Sequence, residues 1–148
     1  MSKALYRGKR TDNGQWVEGF YHFTNWYDPT TKEIVETTHG ILAVGGQDAF
    51  QVIPETVGQY VRNDVNGNRA FEGDIIKNDL GDEVGVIRFG EYRNAMNDDG
   101  HACHVGFYVE WHGGRAAKCL RKDVGYWLNY HPISGNIHDN PELLEVKE

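Results

Sequence analysis

Apolar and polar residues alternate along much of the chain in short runs, and turn-forming residues separate these runs. The alternation is clearest in residues 15–23, 57–61 and 104–111. Because side chains on a strand point alternately to the two faces of a sheet, a period of two predicts β-strands. We expect strands at residues 4–7, 15–23, 34–38, 40–44, 50–53, 57–61, 70–77, 83–89, 104–111 and 133–137.

Turn signals join these predicted strands. Asn13-Gly14 and Asn66-Gly67 each favour a type I′ hairpin turn. Residues 25–32 and 90–100 are rich in Gly, Asn, Asp and Thr, which is typical of loops. The second of these loops is about ten residues long, against the ~4–6 residues typical of compact domains, and we expect it to be mobile.

Helical signals are few. An apolar stripe at residues 116–124 predicts one short helix, and Asn140 followed by Pro141 predicts a helical turn at the end of the chain. With 4 Trp, 8 Tyr, 6 Phe and 18 Gly against 4 Pro, the composition also favours strands joined by tight turns. The predicted fold is mainly β, and 148 residues suffice for one core or two small β subdomains.

The charge and the cysteine content restrict the partners and the compartment. Net charge is −7, which disfavours nonspecific binding to nucleic acid and to anionic membranes. The basic residues Arg115, Lys118, Arg121 and Lys122 lie beside Asp123 and are interpreted as a solvated face. No apolar run predicts a signal peptide or a membrane span. Two cysteines are too few for a disulfide framework, so we expect a cytoplasmic protein with free thiols.

Nucleophile and nucleotide motifs are missing from the sequence. Its serines are Ser2 and Ser134, and the Pro-Ile-Ser-Gly context of Ser134 is no nucleophile elbow. Neither a P-loop nor a G-x-G-x-x-G fingerprint occurs. The acids of residues 64–72 resemble part of a calcium loop, but Arg69 stands where glycine is needed, and a hairpin turn is the better interpretation. We therefore expect no catalytic residue and no cofactor.

Metal binding is the sharpest catalytic alternative. Five residues with zinc-ligating side chains fall within nineteen positions: His101, Cys103, His104, His112 and Cys119. Their spacing fits no standard zinc finger. On a strand, Cys103 and His104 would also point to opposite faces, which hinders their sharing one ion. The expected interpretation is a core cysteine with surface histidines, and a metal-dependent hydrolase using His101, Cys103 and His104 stays open.

Aromatic residues point instead to packing and to interfaces. The set comprises Trp16, Tyr21, Trp26, Tyr27, Tyr92, Tyr108, Tyr126, Trp127 and Tyr130. Such rings stack on nucleic-acid bases where a positive groove accompanies them, but the charge of this chain is negative. Tyr and Trp are also enriched where proteins meet. A cleft lined by Tyr92, Tyr108 and Trp127 would fit a binding role.

Several segments resemble the YopX family of phage and prophage proteins. Residues 56–60, 64–67 and 71–76 resemble its signature, and residues 133–144 match its C-terminal motif closely. Residues 85–89 resemble its strand after a Gly-Asp turn, whereas Tyr6-Arg7-Gly8 and residues 16–19 are similar to its opening more loosely. The resemblance covers most of the chain and is weakest at residues 91–130.

The resemblance implies a β fold with an SH3-like barrel in the C-terminal half. It divides the chain into an N-terminal β subdomain, residues 1–53, and a YopX-like barrel subdomain, residues 54–148. It also implies a gene carried by a phage or prophage, and hence a bacterial host cell. Because the family has no known function, the resemblance implies no activity and no site residue.

Three hypotheses follow for the function. The first is a noncatalytic accessory protein that binds a host or phage protein, or a second copy of itself, through exposed aromatic surface. The second is a nucleic-acid-associated small β-barrel, because such barrels often bind nucleic acids. The third is the metal-dependent hydrolase.

Overall fold

A computed structural model describes residues 5–46, 48–79, 82–94 and 102–145. In these residues the chain is mainly antiparallel β, which confirms the predicted fold class. The strands are β1 Tyr6–Lys9, β2 Trp16–Tyr27, β3 Ile34–Ala43, β4 Ala49–Gln51, β5 Gly58–Asn63, β6 Arg69–Phe71, β7 Asp74–Lys77, β8 Val84–Tyr92, β9 His104–His112 and β10 Gly135–Asn136. Helix α1 is Val124–Leu128, and Pro54–Thr56 and Pro141–Leu144 form 3₁₀ turns.

The chain forms two compact units, Met1–Tyr60 and Val61–Glu148. Strand β5 contributes Gly58–Tyr60 to the first unit and Val61–Asn63 to the second. The predicted division into an N-terminal β subdomain, residues 1–53, and a barrel subdomain, residues 54–148, stays a prediction. None of the helices in the described segments is long and apolar enough to cross a lipid bilayer.

The first unit is built on a sheet with the strand order β4-β3-β2-β1-β5. Its buried centre includes Ile41 on β3 and Val52. A Cβ on Gly8 would lie 3.1 Å from the Val52 Cβ, so the glycine lets β1 approach these side chains closely. Strands β2 and β3 pair from Gly19 with Ala43 as far as Tyr27 with Ile34.

The second unit contains a four-stranded sheet with the order β10-β7-β8-β9. Its core joins strands β6–β9 to helix α1 and comprises Ala70, Ile76, Ile87, Val109, Trp111, Val124, Trp127 and Leu128. Trp111 and Trp127 pack edge to face with their ring centroids 4.6 Å apart. The sheet has two free ends and does not close, so the SH3-like barrel is not confirmed.

The turns at Asn13-Gly14 and Asn66-Gly67 lie where they were predicted, but neither is a type I′ turn. Arg10 and Gln15 close a four-residue loop, and Asp64 and Asn68 close a three-residue loop. A type I′ turn needs two central residues and a positive φ at both. Here only the glycines have a positive φ, +72° at Gly14 and +81° at Gly67.

The predicted helix at residues 116–124 is also wrong. Residues 116–119 form a turn in which Cys119 and Leu120 donate to the Ala116 carbonyl. The chain is then extended to Asp123, and α1 begins at Val124. The Arg121 carbonyl accepts hydrogen bonds from the Trp111 and Trp127 indoles, which holds it out of any helical ladder.

Strand bounds differ from the prediction in three further places. Strand β2 continues to Tyr27, into a segment predicted as loop, and β3 joins the two strands expected at residues 34–38 and 40–44. The predicted strand at residues 70–77 is divided into β6 and β7 by a turn with φ +93° at Gly73. Most of the predicted mobile loop, residues 95–100, lies outside the described segments, as does the turn residue pair 80 and 81.

Candidate binding surfaces

The far part of the β2–β3 hairpin has open edges on both sides. Strand β1 pairs with β2 only at residues 16–19, and β4 pairs with β3 only at residues 40–42. Among the described residues, 24–27 and 34–38 therefore pair only with each other, whereas 20–23 pair with residues 39–42 of β3. We call residues 20–27 and 34–38 the ribbon. Unpaired strand edges present backbone donors and acceptors to another chain.

Apolar side chains of the ribbon face solvent. Five of them are between 53% and 65% exposed: Phe23, Trp26, Tyr27, Ile34 and Val35. Between Trp26 and Tyr27 the register shifts by one residue, a bulge that places Ile34 opposite Tyr27. An isolated two-stranded hairpin is marginally stable in water, and a concentrated exposed apolar patch marks an interaction site.

Polar contacts hold the ribbon in shape. The Trp26 indole donates to the Thr38 hydroxyl at 3.2 Å, and the Thr37 hydroxyl donates to the Asn25 side-chain oxygen at 2.8 Å. In the connecting loop, Asp28 accepts hydrogen bonds from the backbone N–H groups of Thr30 and Thr31. These two bonds hold the pKa of the Asp28 carboxyl below its usual value. The ribbon is thus held by hydrogen bonds between its own strands and within its loop.

A second aromatic surface lies on β8 and β9. The ring of Tyr92 stacks on His104 and on Tyr108, with centroid distances of 5.0 and 5.4 Å. The Tyr92 hydroxyl donates to Asp123 at 2.9 Å, and the Asn94 amide and Arg121 donate to the same carboxylate. These partners fix the row of rings in place.

The carboxyl of Asp123 has a lowered pKa. Burial by itself would raise it, but the hydrogen bond and charge of Arg121 and the hydrogen bonds from Tyr92 and Asn94 outweigh burial. Arg121 also lies over the ring of Tyr126, 5.2 Å from its centroid. The predicted solvated basic run therefore includes one residue, Arg121, that is engaged in local contacts.

The hypothetical cleft of Tyr92, Tyr108 and Trp127 does not form. Trp127 is buried against Trp111, whereas Tyr92 and Tyr108 are half-buried in the stacked row. The neighbours of Trp127 on α1 and after it, Tyr126 and Tyr130, are exposed. Of the predicted aromatic set, Trp26, Tyr27, Tyr126 and Tyr130 face solvent most.

The five residues with zinc-ligating side chains are not brought together where the chain is described. Cys103 and Cys119 are exposed free thiols, so the expectation of a core Cys103 is wrong. His104 stacks on Tyr92, and His112 lies 2.8 Å from a Glu110 oxygen. No group of three or more ligating side chains occurs among the described residues, and His101 lies outside them.

Sequence reasoning missed three of the ribbon's apolar residues. Phe23, Ile34 and Val35 were not among the residues predicted to be exposed, because an alternating pattern does not tell which face of a strand is covered. The sequence feature that could have revealed them is the length of the segments 16–23 and 34–44, in which both sets of alternating positions contain apolar residues. A hairpin of that length extends beyond short neighbouring strands.

Comparison with known proteins gives one result. The family model described as YopX protein matches residues 5–145. No curated protein and no solved structure gives a significant match.

Proposed function

Because the chain belongs to the YopX protein family, for which no activity is defined, we propose its function from its surface. The chain is a noncatalytic binding module that adds a strand of another polypeptide to the open ribbon. The observation that carries this proposal is the coincidence of open strand edges with five exposed apolar side chains. Main-chain pairing supplies affinity in such complexes, and side chains on alternate positions supply specificity.

The shape of the ribbon supports this mode of binding. Its strands are held by the Trp26–Thr38 and Thr37–Asn25 hydrogen bonds, so the partner alone must become ordered. The partner strand would cover apolar rings that water now contacts, at ~25 cal/mol per Å² of apolar surface removed from water. Either a second copy of the chain or a different protein can supply such a strand.

The wider setting is part of the same proposal. The resemblance of residues 56–76 and 133–144 to phage and prophage proteins supports an accessory role in a phage-infected or lysogenic bacterium. The free exposed thiols of Cys103 and Cys119 agree with the reducing cytoplasm of that cell.

A charge substitution on the ribbon tests the proposal. Val35→Lys places an ammonium group where the partner's apolar surface would lie, and Val65→Lys is its matched control at a similarly exposed valine of the second unit. Light scattering after size-exclusion chromatography reports self-association, and affinity capture from host lysate reports other partners. We expect Val35→Lys to abolish the complex and Val65→Lys to retain it.

Two results would contradict the proposal. One is a wild-type protein that stays monomeric and captures no partner. The other is a complex that survives Val35→Lys with unchanged affinity, because that result places the interface away from the ribbon.

A further inference from the structure

Two exposed tyrosine rings lie together at helix α1 of the second unit. Tyr126 lies on α1 and is 45% exposed, and Tyr130 follows the helix and is 68% exposed. Their ring centroids are 5.8 Å apart in an edge-to-face arrangement. Trp127, between them in sequence, is buried in the core of the unit. The two tyrosines therefore form one patch of aromatic surface that solvent reaches.

Arg62 brings a positive charge to this patch from strand β5. Its guanidinium donates to the Gly125 carbonyl at 3.5 Å and to the Asn129 side-chain oxygen at 2.8 Å. Each of these two residues directly precedes one of the tyrosines, so the guanidinium lies along the segment that carries both rings. A third N–H donates to the Asn63 carbonyl. All three acceptors are neutral, and no carboxylate pairs with Arg62 among the described residues.

Arg121 adds a second guanidinium. Its Cζ lies 5.2 Å from the centroid of the Tyr126 ring, and its Nε donates to Asp123 at 2.6 Å. The ring and the carboxylate hold this guanidinium at the tyrosine patch. We call Arg62, Arg121, Tyr126 and Tyr130 the α1 surface.

The local charge is opposite in sign to that of the whole chain. Residues 115–131 contain four Lys or Arg side chains and one acidic side chain, a net charge of +3, against −7 for the chain. From outside this segment, Arg62 adds one positive charge, and Asp79, 3.7 Å from His131, adds one negative charge. Charges farther away than roughly 8 Å are largely screened at physiological ionic strength. An anion near the α1 surface is therefore attracted although the chain as a whole is acidic.

The combination of rings and cations identifies the class of ligand. Single-stranded nucleic acid offers a phosphate to each guanidinium and an unpaired base to each ring. A duplex keeps its bases stacked on one another, and an acidic peptide offers carboxylates without bases to stack. Stacking is also tolerant of sequence, because every base has a π-face.

We propose that the α1 surface binds single-stranded nucleic acid. Bases stack on Tyr126 and Tyr130, and phosphates pair with Arg62 and Arg121. This site lies in the second unit and does not depend on strand addition at the ribbon.

Fluorescence anisotropy with the full chain tests the stacking. The probe is a fluorescein-labelled, twelve-nucleotide oligo(dT) at about 50 mM salt, where phosphate contacts are strong. We expect Tyr130→Ala to weaken binding about fivefold or more, because a stacked base is lost. Tyr130→Phe keeps the ring and should bind as the wild type does. Tyr27→Ala, which removes a similarly exposed ring from the ribbon, is the matched control and should also bind normally.

Salt dependence tests the arginines. Arg62→Gln should reduce the slope of log K against log salt concentration by about 0.7, the value of one phosphate contact on a single strand. Arg62→Lys keeps the charge and should keep the slope. Tyr130→Ala should leave the slope unchanged, because stacking releases no counterions. Lys32→Gln removes one positive charge from the exposed loop of the first unit and should not change the slope either.

Three competing strands separate recognition from general attraction. An abasic oligonucleotide of equal length should bind at least about fivefold more weakly than oligo(dT), because it offers no base to stack. Oligo(U) of equal length should also bind, and the tighter of the two intact strands identifies the ligand as DNA or RNA. A glutamate peptide of equal charge should compete poorly.

Four results would overturn the proposal. They are undetectable binding of both intact strands, equal binding of the abasic strand, an unchanged affinity in Tyr130→Ala, and a glutamate peptide that competes as well as unlabelled oligo(dT). The last result would assign the surface to an acidic protein instead.

Discussion

Asp64 accepts a hydrogen bond from the backbone N–H of Ile133 at 2.9 Å, across 69 residues of sequence. The same carboxylate accepts hydrogen bonds from the backbone N–H groups of Asn66 and Asn68, each at 2.9 Å. It therefore closes the turn before β6 and also fastens the segment before β10 to that turn. Two parts of the second unit that are distant in sequence are joined by one side chain.

Replacement of this carboxylate should destabilise the chain. In Asp64→Asn a neutral amide faces the N–H groups of Asn68 and Ile133, and its NH₂ group cannot accept from them. We expect the free energy of unfolding to fall by about 2–4 kcal/mol, measured by urea denaturation at pH 7. Asp28→Asn is the control at an exposed loop aspartate, and an equal loss there would contradict the assigned role.

The same residue should make stability depend on acid. Burial by itself would raise the pKa of Asp64, but the hydrogen bonds from Ile133, Asn68 and Asn66 outweigh burial and hold it below the usual 3.8. Because its pKa is lower in the native state than in the unfolded state, the ionised Asp64 carboxylate stabilises the native state. This contribution is complete at pH values above the unfolded-state pKa and is lost as the pH falls through the native-state pKa. We expect wild type and Asp64→Asn to differ most near neutral pH and to converge below about pH 4. Parallel stability curves between pH 3 and 7 would be the contrary outcome.

The tryptophan pair in the second core offers another test. Trp111 and Trp127 both donate to the Arg121 carbonyl, at 3.0 and 2.6 Å. Trp127→Phe loses one of these hydrogen bonds and leaves a cavity. We expect the free energy of unfolding, measured by denaturant titration, to fall by about 2–3 kcal/mol. Trp26→Phe, on the exposed ribbon, should change stability by no more than about 0.5 kcal/mol. Similar losses in the two variants would mean that the buried pair contributes little.

Two glycines in the β8–β9 hairpin should respond differently to the same added methyl group. A Cβ on Gly85 would lie 2.2 Å from a Val109 methyl carbon and 3.0 Å from the Trp111 ring, whereas a Cβ on Gly106 has no described neighbour within 4 Å. Gly85→Ala should therefore lower the Tm and reduce the free energy of unfolding by about 1–3 kcal/mol. Gly106→Ala should leave both nearly unchanged. The ranking is checked by thermal denaturation, and a stable Gly85→Ala would show that the core can shift.

Both cysteines should react in the folded protein. Cys103 and Cys119 are exposed and unpaired. Ellman's reagent without denaturant should therefore titrate two thiols per chain, because thiol reactivity follows exposure when no partner intervenes. Titration of both thiols only after addition of guanidinium would place them in the interior instead.

Local patterns predicted most strands because alternation and turn chemistry are properties of neighbouring residues. Strands β1, β5, β8 and β9 lie where the local pattern predicted them, with bounds shifted by no more than three residues. The helix at residues 116–124 was mispredicted for a nonlocal reason. Its apolar stripe was real, but Arg121 is held by indoles from β9 and α1, so the chain reaches Asp123 in an extended form.

Neither candidate site could be predicted from the sequence. The ribbon exists because β1 and β4 are shorter than the strands they flank, and strand pairing is a relation between distant segments. The burial of Glu83 beside Gly114 is equally inconspicuous in sequence, because the two residues are distant along the chain. The family resemblance did not predict either site, because it implies no functional residue.

By itself the sequence determined a mainly β chain, the positions of its hairpin turns and most of its strands, because side-chain alternation and turn preferences act over a few residues. Only the tertiary structure decided that the second sheet stays open, that Trp26 faces water while Trp127 is buried, and that Glu83 is buried. Those properties depend on which segments meet in space, and burial is a sum over contacts that no local pattern records.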